Sequence, residues 1–204
     1  GDDYHSMADW GMDILKVGES LGAGGLGVYE GGRMRMVGPA QSLSVKVAVS
    51  SPDTAAFVVM HEGLDSAVGA FDLSTRYSMT RDSRLLTVLA KTGEQSPALA
   101  AGLVKHPGTK HLKSAESDKY GWAYIATYGP QSLADDELGL ALFYQQHSDT
   151  EVKDDGNTIG VVFSESKIIH YKVAAVWVAE PEGISDINAF KAYLHDTLER
   201  LNSD

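Results

Sequence analysis

The chain has 204 residues, 43% of them hydrophobic, and its 17 Lys and Arg stand against 28 Asp and Glu for a formal charge of -11. That apolar content suffices for a buried core, while the negative balance argues against nucleic acid or an anionic membrane surface as partner unless a local basic patch overrides it. The absence of cysteine excludes a disulfide framework, a thiolate metal site and a cysteine nucleophile. Apolar runs such as Val173 to Ala179 fall far short of the roughly 20 residues a membrane helix needs. One domain spanning residues 1–204 is expected, and with Gly rather than Met at position 1, any targeting segment is expected to have been removed or never included.

The first informative stretch runs from Tyr4 to Gly18 and mixes aromatic, imidazole, carboxylate and ammonium groups before a glycine series, Leu21-Gly22-Ala23-Gly24-Gly25-Leu26-Gly27. A site that grips a polar, ring-shaped ligand needs that mixture, since it must stack, hydrogen-bond and neutralise charge together. The glycines satisfy the G-x-G-x-x-G pattern, but no buried strand precedes them and no long helix follows, so dinucleotide binding is not expected. They read instead as a tight backbone path beside a site, with Val28 to Gly32 a short strand and a turn.

Farther along, Leu43 to Val49 alternates with period two, and Ala55 to Met60 is a short apolar run ending in an expected turn at His61-Glu62-Gly63. Ala70 to Met79 and Arg84 to Ala90 flank a turn at Asp82-Ser83 and read as a hairpin. Further strands are expected at Ala98 to Val104, Gly121 to Tyr128, Leu138 to Tyr144, Ile159 to Phe163 and Ile168 to Val178. The acidic run Asp135-Asp136-Glu137 and the stretch Ser148 to Asn157 read most simply as solvated loops, with metal or ligand contact the alternative. One helix is expected over Ser185 to Leu201, capped by Ser185, with Ile187, Phe190, Tyr193, Leu194 and Leu198 at helical spacing. Many strands closed by a single terminal helix point to a mainly β, antiparallel β-sandwich.

Between the strands, Lys105-His106-Pro107-Gly108-Thr109-Lys110-His111-Leu112-Lys113 is a basic patch in an acidic chain, suited to a carboxylate or sulfate on a ligand; the alternative is an exposed cationic loop with no partner. His61 ends a strand, and His147, His170 and His195 read as structural. No H-E-x-x-H spacing and no G-x-S-x-G occur, so neither a metal nor a cofactor is expected from the spacing.

Tyr4-His5, Gly11-Met12-Asp13, Lys16-Val17-Gly18 and the glycine series, with Ala101 to His106, Thr127-Tyr128-Gly129 and Leu138 to Ala141, resemble the bacterial domain of unknown function family 4861. The resemblance implies a galactose mutarotase-like supersandwich, a periplasmic or secreted location, and a place beside uronate-processing enzymes. Members are typically about twice as long, so this chain resembles their C-terminal half, and the missing N-terminal half is an implied partner. The resemblance further implies carbohydrate as ligand, here an acidic oligosaccharide. Trp10, Trp122 and Tyr124 are candidate stacking groups, and His61, Lys105, Lys110 and His111 candidate polar contacts. Elimination or dehydration beside a uronate needs a base for the proton alpha to the carboxylate, His5 or His106, with Tyr4 as acid and Lys16, Lys105 or Lys110 as charge neutralisers. Hydrolysis would call on Asp9 and Asp13, which share a face if the segment is helical. A non-catalytic carbohydrate-binding module and a structural half-domain are the alternatives.

Overall fold

Gly22 to Gly27 leads into the interior of a sheet rather than forming a loop. The computed structural model describes residues 4–9, 11–115, 121–181 and 183–203. Among them run β1 (Ala23–Glu30), β2 (Arg33–Met36), β3 (Ser42–Ser50), β4 (Thr54–Leu64), β5 (Phe71–Thr80), β6 (Leu86–Thr92) and β7 (Leu99–Val104). Then come β8 (Lys110–Lys113), β9 (Trp122–Pro130), β10 (Glu137–Gln145), β11 (Thr150–Asp154), β12 (Thr158–Phe163), β13 (Ile168–Trp177) and α1 (Ile187–Ser203). All strand pairs are antiparallel.

The glycines have a packing explanation. Gly25 faces Gly102, which faces Gly160, so three neighbouring strands each present a glycine in one row. A Cβ at Gly160 would run into the Met34 sulfur, and one at Gly25 would lie 2.5 Å from the Leu21 carbonyl. The row is therefore a shallow track along which Leu21 and Met34, both fully buried, lie against the sheet. Gly24 differs: its φ of 80° opens a bulge in β1, and any side chain there would strike Val173 of the opposite sheet.

The smaller sheet has the order β11-β12-β7-β1-β2 and the larger β3-β4-β5-β6-β13-β10-β9-β8. Their facing sides supply the main core, with Leu26, Val28, Leu99, Leu103, Val161 and Phe163 from one and Leu73, Val88, Ile125, Leu140, Leu142, Ile169 and Tyr171 from the other. This is the antiparallel β-sandwich that the period-two patterns predict. Five strands do not cover eight. On β3, Leu43, Val45 and Val47 remain 63%, 64% and 68% exposed on the core-facing side, so their alternation marks a strand but not a buried one.

α1 packs on the other side of the larger sheet. Phe190 and Leu194 are buried against Ala126, Tyr128, Ala141, Phe143, Ala174 and Val176, an interface contributing about 1.5–3 kcal/mol per fully buried large side chain. The cap is Asp186 rather than Ser185: its Oδ1 accepts from the Asn188 and Ala189 amides at 2.7 and 2.9 Å. Two further corrections concern the strands. The turn expected at His61-Glu62-Gly63 is a bulge inside β4, taken up by Gly63 at φ 65°. Lys110 to Lys113 and Thr150 to Asp154, read as loops, are edge strands held by backbone pairing despite their polar sequences. No helix of the described residues is long and apolar enough to cross a membrane.

Candidate functional site

Three segments meet at one end of the smaller sheet. The first, residues 16–20, is anchored on one side by a bridge between Leu15 and Ser132 and on the other by the Leu21 amide donating to Thr158 Oγ1 at 3.2 Å. The Ser20 hydroxyl folds it back, donating to the Val17 carbonyl at 2.6 Å and accepting from the Gly22 amide at 3.0 Å. The second segment leaves β7 at Lys105 and His106, tied down where the Lys105 amide donates to the Asn157 carbonyl at 3.0 Å. The third is the β11–β12 turn Asp154-Asp155-Gly156-Asn157. In it Asp155 Oδ1 accepts from the Asn157 and Thr158 amides, and Oδ2 from the Met34 amide at 2.7 Å.

Between them lies a cavity of about 340 Å³ lined by Lys16, Glu19, Lys105, His106 and Asn157 among others. A second of about 360 Å³, lined by Arg33, Met34, Arg35, Met36 and Asp155, shares Gly18, Glu19, Ser20 and Asn157 with it. The two form one open groove. His106 Nε2 lies 2.9 Å from the Lys16 carbonyl oxygen. A carbonyl only accepts, so Nε2 is the donor, and in the neutral ring this leaves the lone pair on Nδ1, the form a general base requires. Lys105 reaches both oxygens of Asp154, at 2.7 and 2.8 Å. The Lys105 ammonium, the Gly156 amide and the nearby charges of Lys105 and His111 together hold the Asp154 carboxyl below its ordinary value, against the opposing effect of burial. His111 thus stands on the Asp154 side of β8, whereas Lys110 lines a different cavity of about 320 Å³ with Tyr128, Glu137 and Asp186.

The geometry therefore joins Lys16, Lys105 and His106 in the groove and leaves the other candidates elsewhere; His111 acts on Asp154 through its charge but does not line the groove. Tyr4, His5 and Asp13 form their own exposed turn: the Asp13 amide donates to the Tyr4 carbonyl at 2.8 Å, the Tyr4 and His5 rings are 4.3 Å apart, and His5 Nδ1 lies 3.9 Å from Asp13 Oδ2. The described part of that segment is turn and isolated bridge, not helix, so the shared helical face for Asp9 and Asp13 does not exist. Trp10 lies outside the described residues. His61 sits on β4, six strands from β8 in the same sheet, roughly 29 Å at ordinary strand spacing. Its Nδ1 is buried without a hydrogen-bond partner among the described residues.

Trp122 and Tyr124 do share a face of β9, the one that carries α1. Trp122 meets His170 edge-on at 4.9 Å and has the Lys172 ammonium 5.7 Å from its ring. Burial first, and the Lys172 charge second, lower the His170 pKa, and burial lowers that of Lys172. Tyr124 lines a separate cavity of about 480 Å³ with Lys113, Tyr144, Gln146, His147 and Glu151.

Glu19, Asp155 and Asn157 line the groove, and none of them is a named site candidate from the sequence. The D-D-G-N run was the available signal, since Asp-Gly between short polar strands marks a hairpin turn. Elsewhere, His195, Asp196 and Glu199 lie close enough on exposed α1 to share an ion, an arrangement surface acids often show without one.

The protein is thus a two-sheet antiparallel sandwich with a polar groove where loops from one end of the smaller sheet converge. The chain belongs to the family described as domain of unknown function (DUF4861), which matches residues 1–204. No curated protein and no solved structure matches it.

Proposed function

We propose that this chain is a carbohydrate-active protein, working outside the cytoplasm, that acts on acidic, uronate-containing oligosaccharides in the groove by elimination or dehydration. The observation that carries the reading is His106, whose bond to the Lys16 carbonyl reserves Nδ1 as a base beside the lysines of the groove. In the proposed step Nδ1 takes the proton alpha to the carboxylate while the Lys16 ammonium offsets the negative charge gathering on that group. The adjacent C–O bond then breaks, a C=C bond forms, and the departing oxygen takes a proton from solvent, to which the groove is open. His106 returns its own proton to water. The leaving group is a sugar hydroxyl in elimination and water in dehydration.

A non-catalytic carbohydrate-binding module is the second reading, and one observation favours it: Lys105 is already neutralised by Asp154, leaving fewer free cations at the base. Mass spectrometry of acidic oligosaccharides incubated with the protein separates the two. Catalysis predicts a product that has lost water or been cleaved into an unsaturated fragment, and His106→Gln should slow its appearance by roughly 10²–10⁴-fold while leaving affinity nearly unchanged. Binding without product supports the module, and turnover indifferent to His106→Gln overturns the assignment of the base.

A further inference from the structure

The side of the larger sheet that α1 leaves bare carries cations of a different kind from those of the groove. On β13, His170 and Lys172 alternate in phase with Ala174 and Val176, which pack under α1, so all four point away from the sandwich core. Cross-strand pairing extends that face in one row, Lys46 opposite Val58, Val58 opposite Arg76, Arg76 opposite Leu89 and Leu89 opposite His170. Lys91, opposite Ser74 and Ile168, lies one row to one side, and Lys172, opposite Thr87, one row to the other. Among the described residues none of Lys46, Arg76, Lys91 or Lys172 forms an ion pair, and Lys172 donates only to the Thr87 hydroxyl, at 2.8 Å. The acids Glu62 and Asp72 stand at one margin, where they accept from the Ser42 hydroxyl and the Gly63 amide. In a chain of charge -11, four uncompensated cations on one face are a local reversal of the field.

We infer that this bare face of the larger sheet is a second binding surface, separate from the groove, for a linear polyanionic glycan running across the strands. Spacing selects the ligand. Lys46 and Arg76 sit two strands apart, about 9.6 Å, and the row from β3 to β13 spans roughly 19 Å. One strand interval is close to the advance of one sugar ring along a chain, so Lys46 and Arg76, two intervals apart in the row, suit a polymer with a charged group on alternate rings, and Lys91 and Lys172 flank the row on β6 and β13. A nucleic acid strand, with a phosphate about every 3.4 Å, would leave most of its charges unmet along that row. Trp122, with the Lys172 ammonium over its ring, and its neighbour His170 close the far end of the row. The ligand class rests on the proposed function, whereas the location does not.

The test is binding of the full chain to polygalacturonate, with its fully methyl-esterified, uncharged form as control, across a series of salt concentrations. The probe is denser in charge than the alternating polymer and so reports the cations without requiring the natural ligand. Replacing Lys46, Arg76 and Lys91 together by Gln should weaken binding at low salt at least tenfold and reduce the log–log salt slope by about one for each cation removed. These side chains make no ion pair, so the thermal melt should stay put; a variant that melts early is replaced by Arg76→Gln alone, expected to lose about one unit of slope. Unchanged affinity and slope would overturn the inference. So would equal affinity for the uncharged control, or tighter binding to single-stranded DNA than to polygalacturonate. His106→Gln should leave this binding intact, and if it abolishes binding while the triple variant keeps it, the ligand occupies the groove alone and the inference fails. A chain that shows no turnover but loses polygalacturonate when the triple substitution is made would refute the catalytic proposal and leave this one standing.

Discussion

The two sheet edges β11 and β3 handle exposure in opposite ways. β11 is short and polar, and carboxylates hold it at both ends. Asp149 accepts from the Glu165 and Ser166 amides at 2.8 Å each and from the Ser166 hydroxyl at 3.0 Å, while Asp154 and Asp155 organise the turn into β12. β3 is long and regularly alternating, yet its apolar side chains stand in solvent and Lys46 has no ion partner among the described residues. Charge at the first edge is spent on the chain's own backbone, and charge at the second remains available. Structural and available charges are thus separated by position in the fold, which net charge alone does not reveal.

Removing Asp149 should break this contrast most visibly. Asp149→Ala strands two backbone donors and is expected to cost about 2 kcal/mol, lowering Tm by roughly 4–8 °C in a calorimetric melt. The same carboxylate predicts a pH effect. Burial pushes the Asp149 pKa up, but the donors from Glu165 and Ser166 outweigh it and bring the folded value below the ordinary 3.8. A depressed carboxylate contributes stability above its unfolded pKa and loses it as pH falls through the folded one. Melts taken from pH 5 downward should therefore show a shallower acid slope for Asp149→Ala than for the parent chain. Lys105→Met frees Asp154 from a partly exposed pair and should cost no more than about 1 kcal/mol. Val45→Thr on β3 should move stability by about 0.5 kcal/mol or less, because little of that side chain leaves water; a loss comparable to that of Asp149→Ala would erase the distinction between the edges.

The same contrast explains what could be read in advance. β3, β5 and β13 announce themselves by alternation, since a strand with one buried face or a regular pleat writes its period into the sequence, whereas β10, buried on both faces, shows as a continuous apolar run. β11 does not, because Thr150-Glu151-Val152-Lys153-Asp154 is held by pairing with β12 and by its flanking residues Asp149 and Asp155, which bond to residues 165, 166 and 34, and no local pattern records this. In the groove, the basic stretch around His106 was visible as chemistry, but its bond to Lys16 joins residues 90 apart in the chain and depends on how β1 and β7 pair. Glu19 and Asn157 enter by the same long-range folding. The glycine series was legible as a demand for close approach; what approaches is Leu21 and Met34 rather than a ligand.

Tyr171 lies fully buried between the sheets, its hydroxyl donating to the Gly24 carbonyl at 3.0 Å. Burial first, and the neighbouring Tyr77 second, push its pKa well above the ordinary 10.0. Its ionisation is therefore strongly disfavoured while the sandwich stays closed. In an alkaline jump the other phenols exposed to water would ionise at once, and the phenolate of Tyr171 would emerge only as fast as the sheets part. The slow phenolate signal, carried by Tyr171 together with the nearly fully buried Tyr128 and Tyr144, thereby times the opening of the core by absorbance without any label.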